Sequence, residues 1–267
     1  TAGKLGIGFT DNNVKVGNTA LDSLTTGTNN VAVGNAALTA TTTGSSNVAV
    51  GYLALDANTT GQQNNAFGDN ALGGNTTGSY NVAVGEQSLY NSNGSNNTGC
   101  GHRTLQANTT GSANVAVGAN ALDANTTASS NTAVGQNCLT ENTTGENNTA
   151  IGGNALDANT TADNNTAVGR HALGANTTGT NNVAMGANAL EANTTANNNT
   201  AVGRSSLGSN TTGTKNTAVG QGSLASNTTA DENTALGVDA LNANTTGTQN
   251  VAIGNKSIEA KTTANYN

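Results

Sequence analysis

Apolar and polar positions recur along this chain at every seventeenth place, and not with the roughly 3.6-residue period of an amphipathic helix. The phrase N-[VT]-A-V-G-x-x-A-L-x-A-N-T-T-[GA]-x-x opens at Asn13 and is written fifteen times, the last copy beginning at Asn250. A short fixed period of this kind predicts a solenoid, in which each copy is one coil stacked on the next. With the phrase numbered 1 to 17, position 4 is apolar in every copy and position 9 is leucine in nearly every one. Glycine at position 5 and Gly or Ala at position 15, each beside polar residues, read as corners. Between them the pattern predicts a strand over positions 1 to 5 and a second over about 8 to 13. The expected fold class is therefore all-β: a parallel β-solenoid, or β-roll, with one seventeen-residue phrase per coil, two short strands per coil and about fifteen coils. The array covers 13–267, preceded by a degenerate first coil or cap at 1–12, where Leu5-Gly6-Ile7-Gly8 matches positions 2 to 5.

Side chains alternate across a strand, so positions 2 and 4 share one face and position 3 takes the other. The large apolar column at position 4 is expected to point inward, with Val33, Val50, Val117, Val168 and Val219 as examples. The leucines at position 9, among them Leu38, Leu55, Leu122, Leu190 and Leu241, are expected to meet them in the core. Position 3 is Ala in thirteen of the fifteen copies, with Lys15 and Gly99 as the exceptions. A strand apolar on both faces is usually covered on both. The alanine column, represented by Ala32, Ala49, Ala116, Ala167 and Ala218, is accordingly read as a contact with neighbouring chains. The invariant Asn at position 1, as in Asn30, Asn47, Asn114, Asn165 and Asn216, predicts a ladder of amides stacked about 4.8 Å apart.

Two irregularities stand out. From Gly111 onward position 15 alternates Gly, Ala, Gly, Ala as far as Ala264, a two-coil superperiod. The copy at Asn81 is one residue short, which predicts a disturbance over about 90–101.

Composition narrows the function. Charged residues are 9%, aromatics 2% and prolines absent, and the formal net charge is −7. Such a chain lacks the basic footprint and stacking platforms of a nucleic-acid binder. No stretch of about 18 apolar residues could span a membrane as a helix. No metal loop, nucleophile elbow or phosphate loop occurs, so no catalytic residue, cofactor or metal is expected and the chain does not read as an enzyme. Cys100 and Cys138 stand two coils apart, about 9.6 Å along the stack, too far for a disulfide that needs Cα atoms within about 7 Å; both are expected to be free fillers. His102 and His171 read as solvated corner residues. Each Asn-Thr-Thr, as at Asn58, Asn125 and Asn193, is formally a glycosylation sequon produced by the repeat. The chain opens without Met and stops on the first letter of a sixteenth copy, and reads as part of a longer protein.

The phrase N-[VT]-A-[VI]-G with its small-residue corner resembles the head repeats of YadA-like trimeric autotransporter adhesins. It is also similar to Asn/Thr-rich arrays of phage and bacterial tail fibres, over residues 13–267. The resemblance implies a left-handed roll, a homotrimer or other homo-oligomer, and an extracellular place on a virion tail fibre or bacterial surface. The adhesin repeat is shorter than the one in this chain. The expected function is a rigid, multivalent, non-catalytic fibre segment whose surface ligand is unidentified. The alternatives are a self-assembling extracellular filament subunit and, as a minor one, an ice-binding protein. Ice binding is disfavoured because adjacent threonines on a strand point to opposite faces.

Overall fold

The computed structural model describes residues 7–10, 12–259 and 262–265, and divides into two units, 1–130 and 131–267. The first holds β1 (Ile7–Thr10), β2 (Asn13–Val16), β3 (Val31–Val33), β4 (Val48–Val50), β5 (Asn65–Phe67), β6 (Val82–Val84), β7 (Thr98–Cys100) and β8 (Val115–Val117). The second holds β9 (Thr132–Val134), β10 (Thr149–Ile151), β11 (Thr166–Val168), β12 (Val183–Met185), β13 (Thr200–Val202), β14 (Thr217–Val219), β15 (Thr234–Leu236) and β16 (Val251–Ile253). Within each unit successive coils pair in parallel and in register. Val31 lies beside Val48 and Ala32 beside Ala49, and Thr149 lies beside Thr166. This is a β-solenoid with one copy of the phrase per turn, and with no helix among the described residues.

The chain's start departs from the parallel pattern. β1 runs antiparallel to β2, with Thr10 opposite Asn13 and Asn12 in the left-handed region at φ 61°. Ile7–Thr10 is thus a hairpin arm laid along the edge of the first coil, not a further parallel rung. Leu5, Gly6 and Asp11 lie outside the described residues.

Each coil has one strand, not two. The segment expected as a second strand is a chain of turns, because the leucine at position 9 and the residue at position 7 both take positive φ. Leu122 sits at 55° and Asn120 at 56°; Leu190 and Asn188 sit at 51° and 61°. A non-glycine residue held there costs roughly 1–2 kcal/mol. Full burial of a leucine side chain contributes about 1.5–3 kcal/mol, enough to hold the kink. The kink also aims amides across to the next coil: Leu38 N–H donates to Ala54 O at 3.1 Å, and Leu190 N–H to Ser206 O at 3.0 Å. A propensity argument misses this, since leucine is a poor left-handed residue and only the inward pull of its side chain selects that conformation.

Glycine at position 5 is the one corner that no other residue can fill. Gly68 has φ 137°, and a Cβ there would lie 2.7 Å from the carbonyl carbon of Gly85 in the next coil; Gly186 has φ 135° and a Cβ would lie 2.6 Å from that of Gly203. Both the backbone conformation and the stacking distance require a bare Cα.

The interior is narrow and partly polar. In the coil from Asn114, the side chains of Asn114, Ala116, Ala121, Leu122 and Asn125 are 0% exposed and Ala128 is 1% exposed. Leu38, Leu55, Leu122, Leu190 and Leu241 are all buried. A cross-section filled by one leucine, two alanines and two asparagines has no room for valine at position 3. Gly99 shows how tight it is: a Cβ there would come within 2.5 Å of Ser88 Oγ and 2.7 Å of Thr104 Oγ1. Those two hydroxyls replace the usual alanines at position 8 and bond to each other at 2.7 Å. The lost methyl makes space for the polar pair.

Candidate interaction face

The strand orientation is opposite to the one expected from residue size. Ala32, Ala49, Ala116, Ala167 and Ala218 are 0% exposed and belong to the interior of their own coil, so they cannot touch a neighbouring chain. Val33, Val50, Val117, Val168 and Val219 are half-buried and point outward, not into the core. The reason is steric. The inward side of the strand is opposed by the position-9 leucine and the position-8 alanine, and close packing admits only a small residue there. The larger residues are left on the outer face with position 2.

That outer face is the most distinctive surface of each unit. Position 4 is apolar in all of β2 to β16, and the larger members stand well out: Phe67 is 41% exposed, Met185 44% and Ile253 69%. Position 2 is Val, Thr or, once, Asn65. No outward position on these strands is charged. Every described charge from Asp22 on lies at a corner, at positions 6, 7, 10, 11, 16 or 17. Lys15 is the single charge on a strand; it takes the interior position of the first coil, half-exposed, with its Nζ 3.9 Å from Asp22. A continuous uncharged strip with a polar rim is the usual mark of an interaction surface.

Behind the face, two amide ladders bind the coils. At position 1, Asn47 Oδ1 accepts from Asn64 N–H at 2.9 Å, and Asn64 Nδ2 donates to Gly78 O at 2.9 Å. The same pairing holds at Asn30, Asn114, Asn165 and Asn216, whose amides donate to Gly44, Ala128, Gly179 and Ala230 carbonyls. A second ladder, not expected from sequence, runs through position 12. There Asn125 Nδ2 donates to Asn108 Oδ1 at 2.8 Å and to Ala128 O at 3.1 Å. These are the sequon asparagines. Asn58, Asn125 and Asn193 are 0% exposed, so the folded coil offers no amide for glycosylation. Asn stands at position 12 in eleven of the fifteen copies, and that recurrence was the available signal. The threonines after it divide their roles. The first bonds to the next coil, as Thr177 Oγ1 does to Thr194 O at 3.1 Å, while the second, such as Thr178, is exposed.

The short coil at Asn81 is repaired locally. With position 14 missing, the Asn93 side chain stands in for a backbone carbonyl: its Oδ1 accepts from Thr76 N–H and Thr76 Oγ1, both at 2.7 Å, and from Thr77 N–H at 3.2 Å. The same coil carries Ser92 at position 12, too short to reach back, and Asn75 Oδ1 is left buried without a hydrogen-bond partner.

Reactive groups do not converge. Both cysteines are free; Cys100 is exposed on the outer strip and is not a core filler, whereas Cys138 is buried. Burial pushes the Cys138 thiol above its ordinary range. Burial likewise raises the Asp56 carboxyl, opposed by two backbone amides. Hydrogen bonds from Gln249 and then Lys215 hold the exposed Glu232 carboxyl low. His102 is exposed and His171 half-buried, each at a corner. An open depression of about 350 Å³ lies over Asn137, Thr140, Glu141, Asn154, Asp157 and Ala158. Among the described residues no group of three or more His, Cys, Asp or Glu could hold a metal, and no helix is long and apolar enough to cross a membrane. No family model matches the chain, and no curated protein or solved structure is significantly similar to it.

Proposed function

We propose that this chain is a non-catalytic segment of an extracellular fibre, of the tail-fibre or surface-adhesin kind, that associates with sister copies through its outer strand strip and offers its corners to a ligand. The observation that carries this reading is the charge-free strip itself: all fifteen outward residues at position 4 are apolar, while charge is confined to the corners. The repeat resemblance supports the fibre setting. The partner surface moves from the alanine column, which is sealed inside the coil, to positions 2 and 4.

The test is sedimentation of the chain beside a Val117→Lys, Val168→Lys, Val219→Lys variant. These half-exposed sites let a lysine stem lie along the face with its ammonium in water, so the coil is retained. The expected outcome is an oligomer for the parent and a folded monomer for the variant, with unchanged circular dichroism. A parent that stays monomeric at about 100 μM, a concentration at which even weak interfaces associate, would overturn the reading.

Two other readings rank lower. End-to-end filament growth is less favoured because β1 lies antiparallel along the edge of β2 that a preceding parallel coil would need. Ice binding draws support from the outward threonines of the second unit, such as Thr149, Thr166 and Thr200. The uneven neighbours Ile151, Met185 and Leu236 break the flatness that a crystal surface demands.

A further inference from the structure

From Gly111 onward the alternation of Gly and Ala at position 15 has a structural counterpart. Two kinds of seam join successive coils. Where a glycine coil is followed by an alanine coil, the threonine amides of positions 13 and 14 both donate to one carbonyl of the next coil. Thr143 and Thr144 donate to Thr160 O at 2.9 and 3.3 Å, Thr177 and Thr178 to Thr194 O at 2.9 and 3.2 Å, and Thr211 and Thr212 to Thr228 O at 2.8 and 3.3 Å. Where an alanine coil is followed by a glycine coil only the first amide does so: Thr160 to Thr177 O at 3.2 Å, Thr194 to Thr211 O at 3.1 Å and Thr228 to Thr245 O at 3.2 Å. The amides of Thr161, Thr195 and Thr229 find no acceptor among the described residues.

Three further contacts follow the same alternation. At position 16 the glycine coil's amide donates to a side chain of the alanine coil after it: Glu146 to Asp163 at 2.7 Å, Thr180 to Asn197 at 2.6 Å, Thr214 to Asp231 at 2.6 Å and Thr248 to Asn265 at 2.7 Å. The position-12 ladder is tighter inside such a pair, at 2.8, 2.8 and 2.9 Å for Asn159, Asn193 and Asn227 reaching back. It is looser between pairs, at 3.1, 3.2 and 3.1 Å for Asn176, Asn210 and Asn244. The threonine hydroxyl at position 13 lies 3.0–3.1 Å from its acceptor within pairs, as at Thr143 and Thr177, and 3.2–3.3 Å between them, as at Thr160 and Thr194.

The alanine methyl accounts for the difference. A Cβ on Gly179 would lie 2.3 Å from Ala196 O and 2.5 Å from Asn176 Oδ1, so the close seam tolerates none. Where position 15 does carry a methyl, the following coil must stand off and the second amide bond is lost.

We infer that the physical repeat of this region is a two-coil clamp, a glycine coil bound to the alanine coil after it, and that local opening of the stack occurs at the alanine-to-glycine seams. The inference is independent of the fibre reading. Site-resolved amide exchange on the full chain tests it. The Thr161, Thr195 and Thr229 amides should exchange about two- to tenfold faster than those of Thr144, Thr178 and Thr212, the effect of one missing hydrogen bond. In an Ala196→Gly variant, which reproduces a residue natural to this position, the Thr195 amide should slow to the rate of Thr178. Equal exchange of the two sets in the parent would overturn the clamp. A Thr195 amide that stays fast in Ala196→Gly would overturn the methyl as its cause.

Discussion

The two units share the buried leucine column and most of the buried alanine and asparagine columns, and show different exteriors. In the first, position 2 of the outer strip is valine in β2, β3, β4, β6 and β8; in the second it is threonine in β9, β10, β11, β13, β14 and β15. Valine and threonine are both β-branched and sit equally well on a half-exposed strand. The exchange therefore leaves the backbone alone and changes what the face presents, mostly methyls in the first unit and mostly hydroxyls in the second, with Asn65 and Thr98 in the first and Val183 and Val251 in the second as exceptions. The seams differ too. From Gly27 to Gly111 position 15 is glycine in every coil, and both threonine amides reach across at Thr42 and Thr59 alike. The second unit alternates. The comparison teaches that the inward columns answer to the coil's cross-section, while the outward columns are free to carry whatever the surface is for.

A common interior makes a strong demand. Leu55→Ala in the first unit and Leu190→Ala in the second should each cost about 2–5 kcal/mol, as for other fully buried leucines. Urea denaturation followed by circular dichroism measures both, and values differing by more than about 2 kcal/mol would mean that the two cores are not equivalent. The next effect belongs to the first unit alone. Ser92→Asn should supply the missing partner of Asn75 Oδ1 and stabilise that unit by about 1–3 kcal/mol, seen as a higher urea midpoint. No gain would show that the short coil holds position 12 out of ladder range.

The smallest test contrasts the two thiols. Cys100 on the outer strip of the first unit should react with a maleimide in the native protein. Cys138, buried in the second with its thiol pushed above the ordinary range, should react only once urea opens the coil.

Much of this was legible in the amino-acid sequence, and particular residues show where legibility stopped. The even spacing of Asn30, Asn47 and Asn64 is enough to predict stacked coils with an amide ladder, because identical residues at a fixed short period can stack only on themselves. Leu38, Leu55 and Leu122 could be placed inside, since no other column was so uniformly large. The parity of the strand could not. Val33 and Ala32 differ only in size, and the hydrophobic argument puts the larger one inside unless the width of the cavity is known. That width is set by the left-handed turns at Leu38 and Ala36, at φ 53° and 59°, which pull the opposite wall close. Such turns oppose local propensity and exist only because the leucine has an interior to enter. The alternating seams were visible as letters, Gly179 and Ala196, but not as unequal joints. Period and composition are properties of the chain itself. Which face is in, and how tightly each coil grips the next, depends on distances between atoms a whole copy of the phrase apart, and only the folded stack sets those.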